Sequence, residues 1–127
     1  MSKLLHKEET YTIIGICMKV HKALGKGFLE SVYEEALEKE FLKENIPYEK
    51  QKRLRIYYNG ERMDKYFVAD FMCYDKIIIE LKAADYMHKN MEAQVINYLK
   101  ATKKEEGLLI NFGEASLKWK RFINTSV

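Results

Sequence analysis

Three residues of this 127-residue chain carry charge where a buried strand should be apolar. Asp70 sits inside Phe67-Val68-Ala69-Asp70-Phe71, and Glu80 and Lys82 interrupt the run from Ile77 to Ala84. Side chains alternate along a strand, so Ile78, Glu80 and Lys82 share one face and Ile77, Ile79 and Leu81 the other. A turn centred on Asp75 sets Asp70 directly opposite Glu80, with β-carbons about 5 Å apart. A slip of one residue would send the two to opposite faces, so the pairing is a sharp expectation. Two carboxylates that close repel one another, a cost relieved by a proton or a cation. Mg²⁺ suits such a pair: it takes hard oxygen ligands, uses one or two carboxylates, and keeps waters and substrate phosphates. A bound metal lowers the pKa of an attached water and polarises a phosphoryl group. Lys82, beside two carboxylates, keeps its ammonium charge and suits orientation and charge stabilisation better than general-base work. An isolated Glu-x-Lys on a strand is ordinarily a salt bridge; the complete set, Asp70 and then Ile77-Ile78-Ile79-Glu80-Leu81-Lys82, favours chemistry.

These residues need elements to hold them. From about Thr10 to Leu24, Ile13, Ile14, Cys17, Met18, His21 and Leu24 recur near helical spacing and are expected to face inward. Gly25-Lys26-Gly27 stops that helix. A second helix is expected from about Glu30 to Glu44, with Val32, Tyr33, Ala36, Leu37 and Phe41 inward, ended by Asn45-Ile46-Pro47. From Tyr48 the period changes to two, and Asn59-Gly60 marks a hairpin whose return strand runs from about Glu61 to Met72. Ile77 to Lys82 reads as a central strand. A third helix follows from about Asn90 to Lys103, with Met91, Val95, Tyr98 and Leu99 inward. Gly107 to Phe112 forms a short buried strand, and about Leu117 to Ile123 an edge strand. The order α-α-β-β-β-α-β(-β) predicts an α/β (α+β) fold, a mixed sheet flanked by helices.

Composition bounds the class. The length points to one domain over 1–127, and 47% apolar with 32% charged residues excludes disorder and a membrane protein. A net charge of +3 neither requires nor excludes a nucleic-acid partner. Cys17 and Cys73 lie in apolar surroundings and read as buried thiols in a reduced compartment rather than a disulfide. The first residues lack the apolar stretch of a signal peptide, and no run approaches membrane-spanning length. A cytoplasmic protein is expected, with no membrane partner. No zinc spacing, phosphate loop or Ser-His-Asp arrangement is evident.

The ordered set Asp70, Glu80-Leu81-Lys82, Gln94-Val95-Ile96-Asn97-Tyr98 and Leu109-Ile110-Asn111-Phe112-Gly113 resembles the PD-(D/E)xK nuclease superfamily. More closely, Gly27-Phe28-Leu29-Glu30-Ser31-Val32-Tyr33 matches the motif that names the small prokaryotic GxxExxY proteins. The likeness runs from about Ile13 to Ile123 and implies a restriction-endonuclease-like core. It implies Asp70 and Glu80 as metal ligands, with Leu81 assigned to the same shell, and Lys82 as the catalytic lysine. Glu30 would be the further acid, although a first-turn acid is also favoured by the helix dipole. Gln94 and Tyr98 match the Q-x-x-x-Y element of RecB-like nucleases, four residues apart on one helical face. Two departures stand out: no proline precedes the aspartate, and Val68 replaces a basic residue often found there.

The hairpin places Gln51, Arg53 and Arg55 on the face of Asp70, suited to phosphate oxygens, though such charges also protect a strand edge. Lys118, Lys120 and Arg121 bracket Trp119 and Phe122, a pattern fitting either single-strand binding or an edge strand; the edge strand is favoured. His21 reads as a packed helix histidine. The expectation is a Mg²⁺- or Mn²⁺-dependent nuclease acting on DNA or RNA, with a homodimer or protein partner supplying further reach. The rival is an inactive nucleic-acid-binding or protein-interaction module on the same scaffold.

Overall fold

The computed structural model describes residues 6–124; the first five and last three residues lie outside it. Two helices come first, α1 (Lys7–Leu24) and α2 (Glu30–Lys43), followed by the strands β1 (Tyr48–Tyr58), β2 (Glu61–Cys73) and β3 (Ile77–Lys82). A third helix, α3 (Lys89–Thr102), leads to β4 (Glu106–Asn111) and β5 (Lys118–Ile123). The strands lie side by side in chain order, antiparallel except for the β3–β4 pair. That parallel pair requires a crossover, which α3 provides. The expected α/β architecture and element order are those observed, each boundary falling within a few residues.

Two apolar clusters cover the two faces of the sheet. On one side α1 and α2 bring Ile13, Cys17, Tyr33, Leu37 and Phe41 onto Phe71, Ile77, Ile79, Leu81 and Ile110. On the other, Tyr98 and Leu99 of α3 pack on Leu54, Ala69, Met72 and Ile78. β3 and β4 are buried almost throughout, as strands sandwiched between helices must be. Cys17 and Cys73 are free and buried. Burial pushes both thiols well above their ordinary range, which keeps them unreactive.

One inward expectation on α1 is corrected: Met18 is 51% exposed, whereas Ile16 and Val20 are buried. The sheet is met by the stripe Ile13, Ile16, Cys17 and Val20, and Met18 lies about 100° round the helix from Cys17. His21 is buried, with Nε2 2.9 Å from the Glu114 carbonyl oxygen, and is a packed residue as expected.

The hairpin turns at Asn59-Gly60, both with positive φ. Next to it Tyr58 pairs with Glu61, but a bulge between Arg55 and Tyr57 shifts the register, so that Arg55 opposes Tyr66 and Arg53 opposes Val68. β3 is much shorter than this hairpin and pairs with β2 only from Phe71 to Cys73. The remainder of β1 and β2 extends past the sheet as a two-stranded arm, exposed from Tyr57 to Tyr66.

Candidate active site

The site lies where β2 and β3 part. Phe71 pairs with Ile79, the register that sets Asp70 against Glu80, and there the backbone ladder stops. Side chains take its place. The Asp70 N–H donates to Glu80 Oε1 at 3.0 Å, and the Leu81 N–H donates to Asp70 Oδ2 at 2.8 Å. Each carboxylate thus satisfies an amide of the opposite strand that would otherwise be orphaned in the split.

Strict alternation would put Asp70 on the Ile78–Glu80 face, and here the structure corrects the expectation. Ala69 and Met72 both belong to the cluster under α3, whereas Phe71 and Cys73 belong to the cluster under α1 and α2. The alternation resets between Ala69 and Phe71. On β1 the reset coincides with Gln51, at φ 52°, which lies opposite Asp70 where no backbone pair forms. Asp70 therefore lines a cleft of about 210 Å³ with Glu30, Ser31, Glu34, Gln51 and Leu81, on the α2 side. Glu80 does not line this cleft and meets Asp70 through the Asp70 N–H.

The electrostatics follow from burial. Glu80 is only 4% exposed, and desolvation, then the Asp70 charge, pushes its carboxyl up to about 8. Burial above all, with the Glu30 charge adding to it, raises Asp70 against the pull of the Leu81 N–H. Tyr98 is pushed up to about 12 by its own burial and then by the charges of Glu80 and Asp70. Gln94 hydrogen-bonds Tyr98, and Phe67 stacks on it at 4.9 Å. Lys82 is half-buried, and among the described residues no carboxylate lies within ion-pair distance of it. The salt-bridge reading of Glu-x-Lys is therefore not the arrangement found.

Glu30 is the first residue of α2 and exposed, close enough to act on both carboxylates. Its position is fixed by Tyr33, fully buried, whose hydroxyl donates to the Gly25 carbonyl at 2.5 Å. The Phe28 N–H donates to the same hydroxyl at 3.3 Å, and the ring stacks on Phe112 at 4.7 Å. The Gly27-to-Tyr33 motif is thus a loop clasp that aims Glu30 at the strand split.

Gln51 donates to Asp70 Oδ1 at 3.4 Å and also to Glu34. Arg53 and Arg55 lie farther along the arm, their guanidiniums 4.7 and 5.2 Å from the Tyr66 ring centre. The second basic strip is spent on internal pairs: Lys120 bonds Glu92 at 2.9 Å, and Arg121 reaches Glu106.

Sequence reasoning did not single out Glu34, Asn111 and Gly113 individually. Glu34 is one helical turn beyond Glu30, a spacing that signals a shared face. Buried Asn111 accepts from the Ala84 N–H at 2.9 Å and donates to the Ala84 carbonyl at 3.0 Å. It locks the chain just past Lys82. Gly113 sits so close that a β-carbon there would lie 2.2 Å from the Ala84 carbonyl oxygen, so only glycine allows this approach.

A buried and a half-buried carboxylate sharing a strand split, with a lysine that no described carboxylate pairs, fit a nuclease-type hydrolase scaffold. A family model for the PD-(D/E)XK nuclease superfamily matches residues 7–122, and the chain belongs to that superfamily. The crystal structure of SSO0001 is similar, with a TM-score of 0.58 and 18% identity over 75% of this chain. The match covers 50% of that chain, so the present sequence spans about half its length; the likeness is one of fold. No curated protein matches.

Among the described residues, no group of three or more acidic, histidine or cysteine side chains converges as a ready metal cage. The donor set nonetheless fits a hard divalent cation. Buried Glu80 and half-buried Asp70 lie side by side with Lys82 as the nearby cation beyond ion-pair distance, and Glu30 stands at the mouth. No helix among the described residues is long and apolar enough to cross a membrane.

Proposed function

We propose that this chain is a divalent-metal-dependent nuclease of the GxxExxY type, hydrolysing phosphodiester bonds of DNA or RNA. The observation that carries the reading is the crossed pair of bonds in the strand split, Asp70 N–H to the Glu80 carboxylate and Leu81 N–H to the Asp70 carboxylate, with Glu80 buried beside a second acid. A structural role alone would favour an amide there, because the second charge raises the cost of the fold. Asp70, Glu80 and the backbone of Leu81 would hold Mg²⁺ or Mn²⁺, with Glu30 closing the shell. When bound, that ion supplies charge neutralisation at phosphate and an acidified water.

The protein's own groups do the rest. Lys82, which no carboxylate among the described residues pairs, orients the attacking water and balances charge building on phosphate. Gln51 restrains Asp70, and Gln94 restrains the Tyr98 phenol beside Glu80. Arg53 and Arg55 present guanidiniums to the phosphates flanking the cut, where the Tyr66 ring holds them in place.

The test is a panel of linear, circular and single-stranded DNA and of RNA, each with Mg²⁺ or Mn²⁺. Lys82→Ala and Glu80→Ala should each lower cleavage by a factor of about 100 or more, the scale of one electrostatic catalytic contact. Cleavage unchanged in both variants would overturn the assignment. The missing ready-made cage favours one rival, a nucleic-acid-binding module without chemistry. Calorimetry separates them: nucleic acid bound with no uptake of either metal supports the rival.

A further inference from the structure

A second cleft is larger than the acidic one. It measures about 790 Å³ and runs between β1 and the C-terminal end of α3. Lys52, Arg53, Arg55, Lys100, Lys103 and Lys104 line it, with Asp75 as the sole acid. Asp75 is already occupied: its carboxylate lies 3.7 Å from Lys104 and its carbonyl accepts from the same ammonium at 2.9 Å. Lys52 pairs with Glu49 at 2.7 Å, an exposed contact of little net worth that a stronger anion displaces. Lys100 and Lys103 are exposed, and no ion pair within the described residues engages either. Lys52 on β1 and Lys100, Lys103 and Lys104 at the end of α3 repel one another across the cleft, a cost that a polyanion removes, while the Arg53 and Arg55 guanidiniums stack on Tyr66 beside it.

Position adds to charge. β1 is an edge strand, and its residues from Lys52 to Tyr57 line this cleft. Leu54 and Met72 line it too, and both belong to the cluster under α3. The basic cleft therefore opens on the α3 side, whereas the acidic cleft opens on the α2 side. The two meet at adjacent residues: Gln51 lines one and Lys52 the other.

We propose that this cleft is a second nucleic-acid site, holding the sugar–phosphate backbone of the segment that flanks the bond at Asp70 and Glu80. It rests on the nuclease reading for its ligand class. The strand passes over the β1 edge between Gln51 and Lys52 and continues toward Lys100 and Lys103. Lys52 to Tyr57 covers about 17 Å at about 3.3 Å per residue, room for about five phosphates of one strand at 3.4 Å each. Recognition there is of phosphate charge, independent of sequence. This is how so small a domain gains a footprint longer than its acidic cleft.

The experiment measures fluorescence anisotropy of labelled 20-nucleotide single strands and 20-base-pair duplexes in EDTA, across salt concentrations. Lys100→Glu/Lys103→Glu should weaken binding at least tenfold at 100 mM salt. Losing two phosphate contacts should also flatten the single-strand salt slope by about 1.4, at about 0.7 per contact. Lys100→Gln/Lys103→Gln, which removes charge without adding any, should flatten it as much. Hydrolysis of bis(p-nitrophenyl) phosphate, too small to reach the cleft, should be unchanged in both variants. Wild-type affinity and slope in the variants would overturn the proposal, as would binding to anionic phosphatidylserine vesicles but not to nucleic acid. Loss of the small-diester activity would also overturn it, since the cleft would then act on the reacting site. If wild type lacks diester hydrolysis yet binds nucleic acid through Lys100 and Lys103, this site stands and the nuclease reading fails.

Discussion

Glu80 on β3 and Glu106 on β4 are both buried, on neighbouring parallel strands, and their charges are met in opposite ways. Glu106 is fully enclosed and fully answered. The Arg121 guanidinium spans its two oxygens at 3.1 and 3.3 Å, and the Thr10 hydroxyl donates to it as well. Those partners come from β5 and α1, so one carboxylate ties three elements together. Glu80 receives a single amide and faces another acid, and Lys82 stands beyond ion-pair distance. A buried charge costs several kcal/mol unless paired, so the first arrangement serves the fold and the second works against it. On the proposed nuclease reading, Asp70–Glu80 is the place where stability is given up for function.

The largest expected effect breaks the answered charge. Arg121→Leu leaves Glu106 enclosed with the Thr10 hydroxyl as its remaining partner among the described residues, and should destabilise the protein by about 3–5 kcal/mol. Urea unfolding measures this. The double change Arg121→Leu/Glu106→Leu should recover most of the loss, because an apolar pair leaves no orphaned charge. Lys82→Met, which breaks no ion pair, should shift the midpoint far less. Equal losses for Arg121→Leu and Lys82→Met would erase the contrast between the two sites.

The contrast also explains what was legible in the sequence. The Asp70 and Glu80-Leu81-Lys82 pattern stood out because charges interrupt an apolar strand, and hairpin geometry sufficed to put Asp70 against Glu80. Period and turn signals likewise placed each helix and strand to within a few residues. Glu106 gave no such signal: it opens its strand, where a charged residue looks like a solvated end. Its partner Arg121 sits in Lys118-Trp119-Lys120-Arg121, which reads as an edge strand but does not show its partner until β5 is paired with β4. The reset of alternation at Gln51 and Asp70 was hidden for a related reason. It depends on a left-handed residue that is neither glycine nor asparagine, stabilised by the tertiary contact of Gln51 with Glu34. Local pattern finds the unsatisfied site; long-range compensation is visible only once the chain is folded.

The second prediction reverses the sign of the first. Glu80→Gln keeps the oxygen that accepts from the Asp70 N–H and removes the unanswered charge, so it should stabilise the metal-free protein at pH 8 by about 1–3 kcal/mol. The pH dependence follows from linkage. The Glu80 carboxyl titrates at about 8 in the fold against an ordinary 4.5, so the folded chain holds this proton more tightly than the unfolded one. Its contribution is fully present below about 4.5 and declines as pH rises toward about 8, above which it is gone. The stability gap between Glu80→Gln and wild type should therefore widen from pH 5 to pH 8, as thermal melts would record. Adding Mg²⁺ should narrow it by stabilising wild type alone. A gap constant across that range would mean that Glu80 is answered after all.

The smallest effect refines the Glu106 side. Thr10→Val preserves shape and removes the hydroxyl that donates to Glu106, leaving Arg121 as the remaining partner. A single hydrogen bond to a charged group contributes about 1.5–3 kcal/mol, but the guanidinium already spans both oxygens and holds most of the charge. A loss of about 1 kcal/mol is expected, readable as a small shift of the urea midpoint at unchanged slope. If Thr10→Val costs as much as Arg121→Leu, the hydroxyl and not the guanidinium carries the enclosed charge. The nuclease reading would be untouched, but burial of Glu106 would then depend on α1 rather than β5, and α1 would become the element whose docking decides whether the sheet can hold its second, unanswered acid.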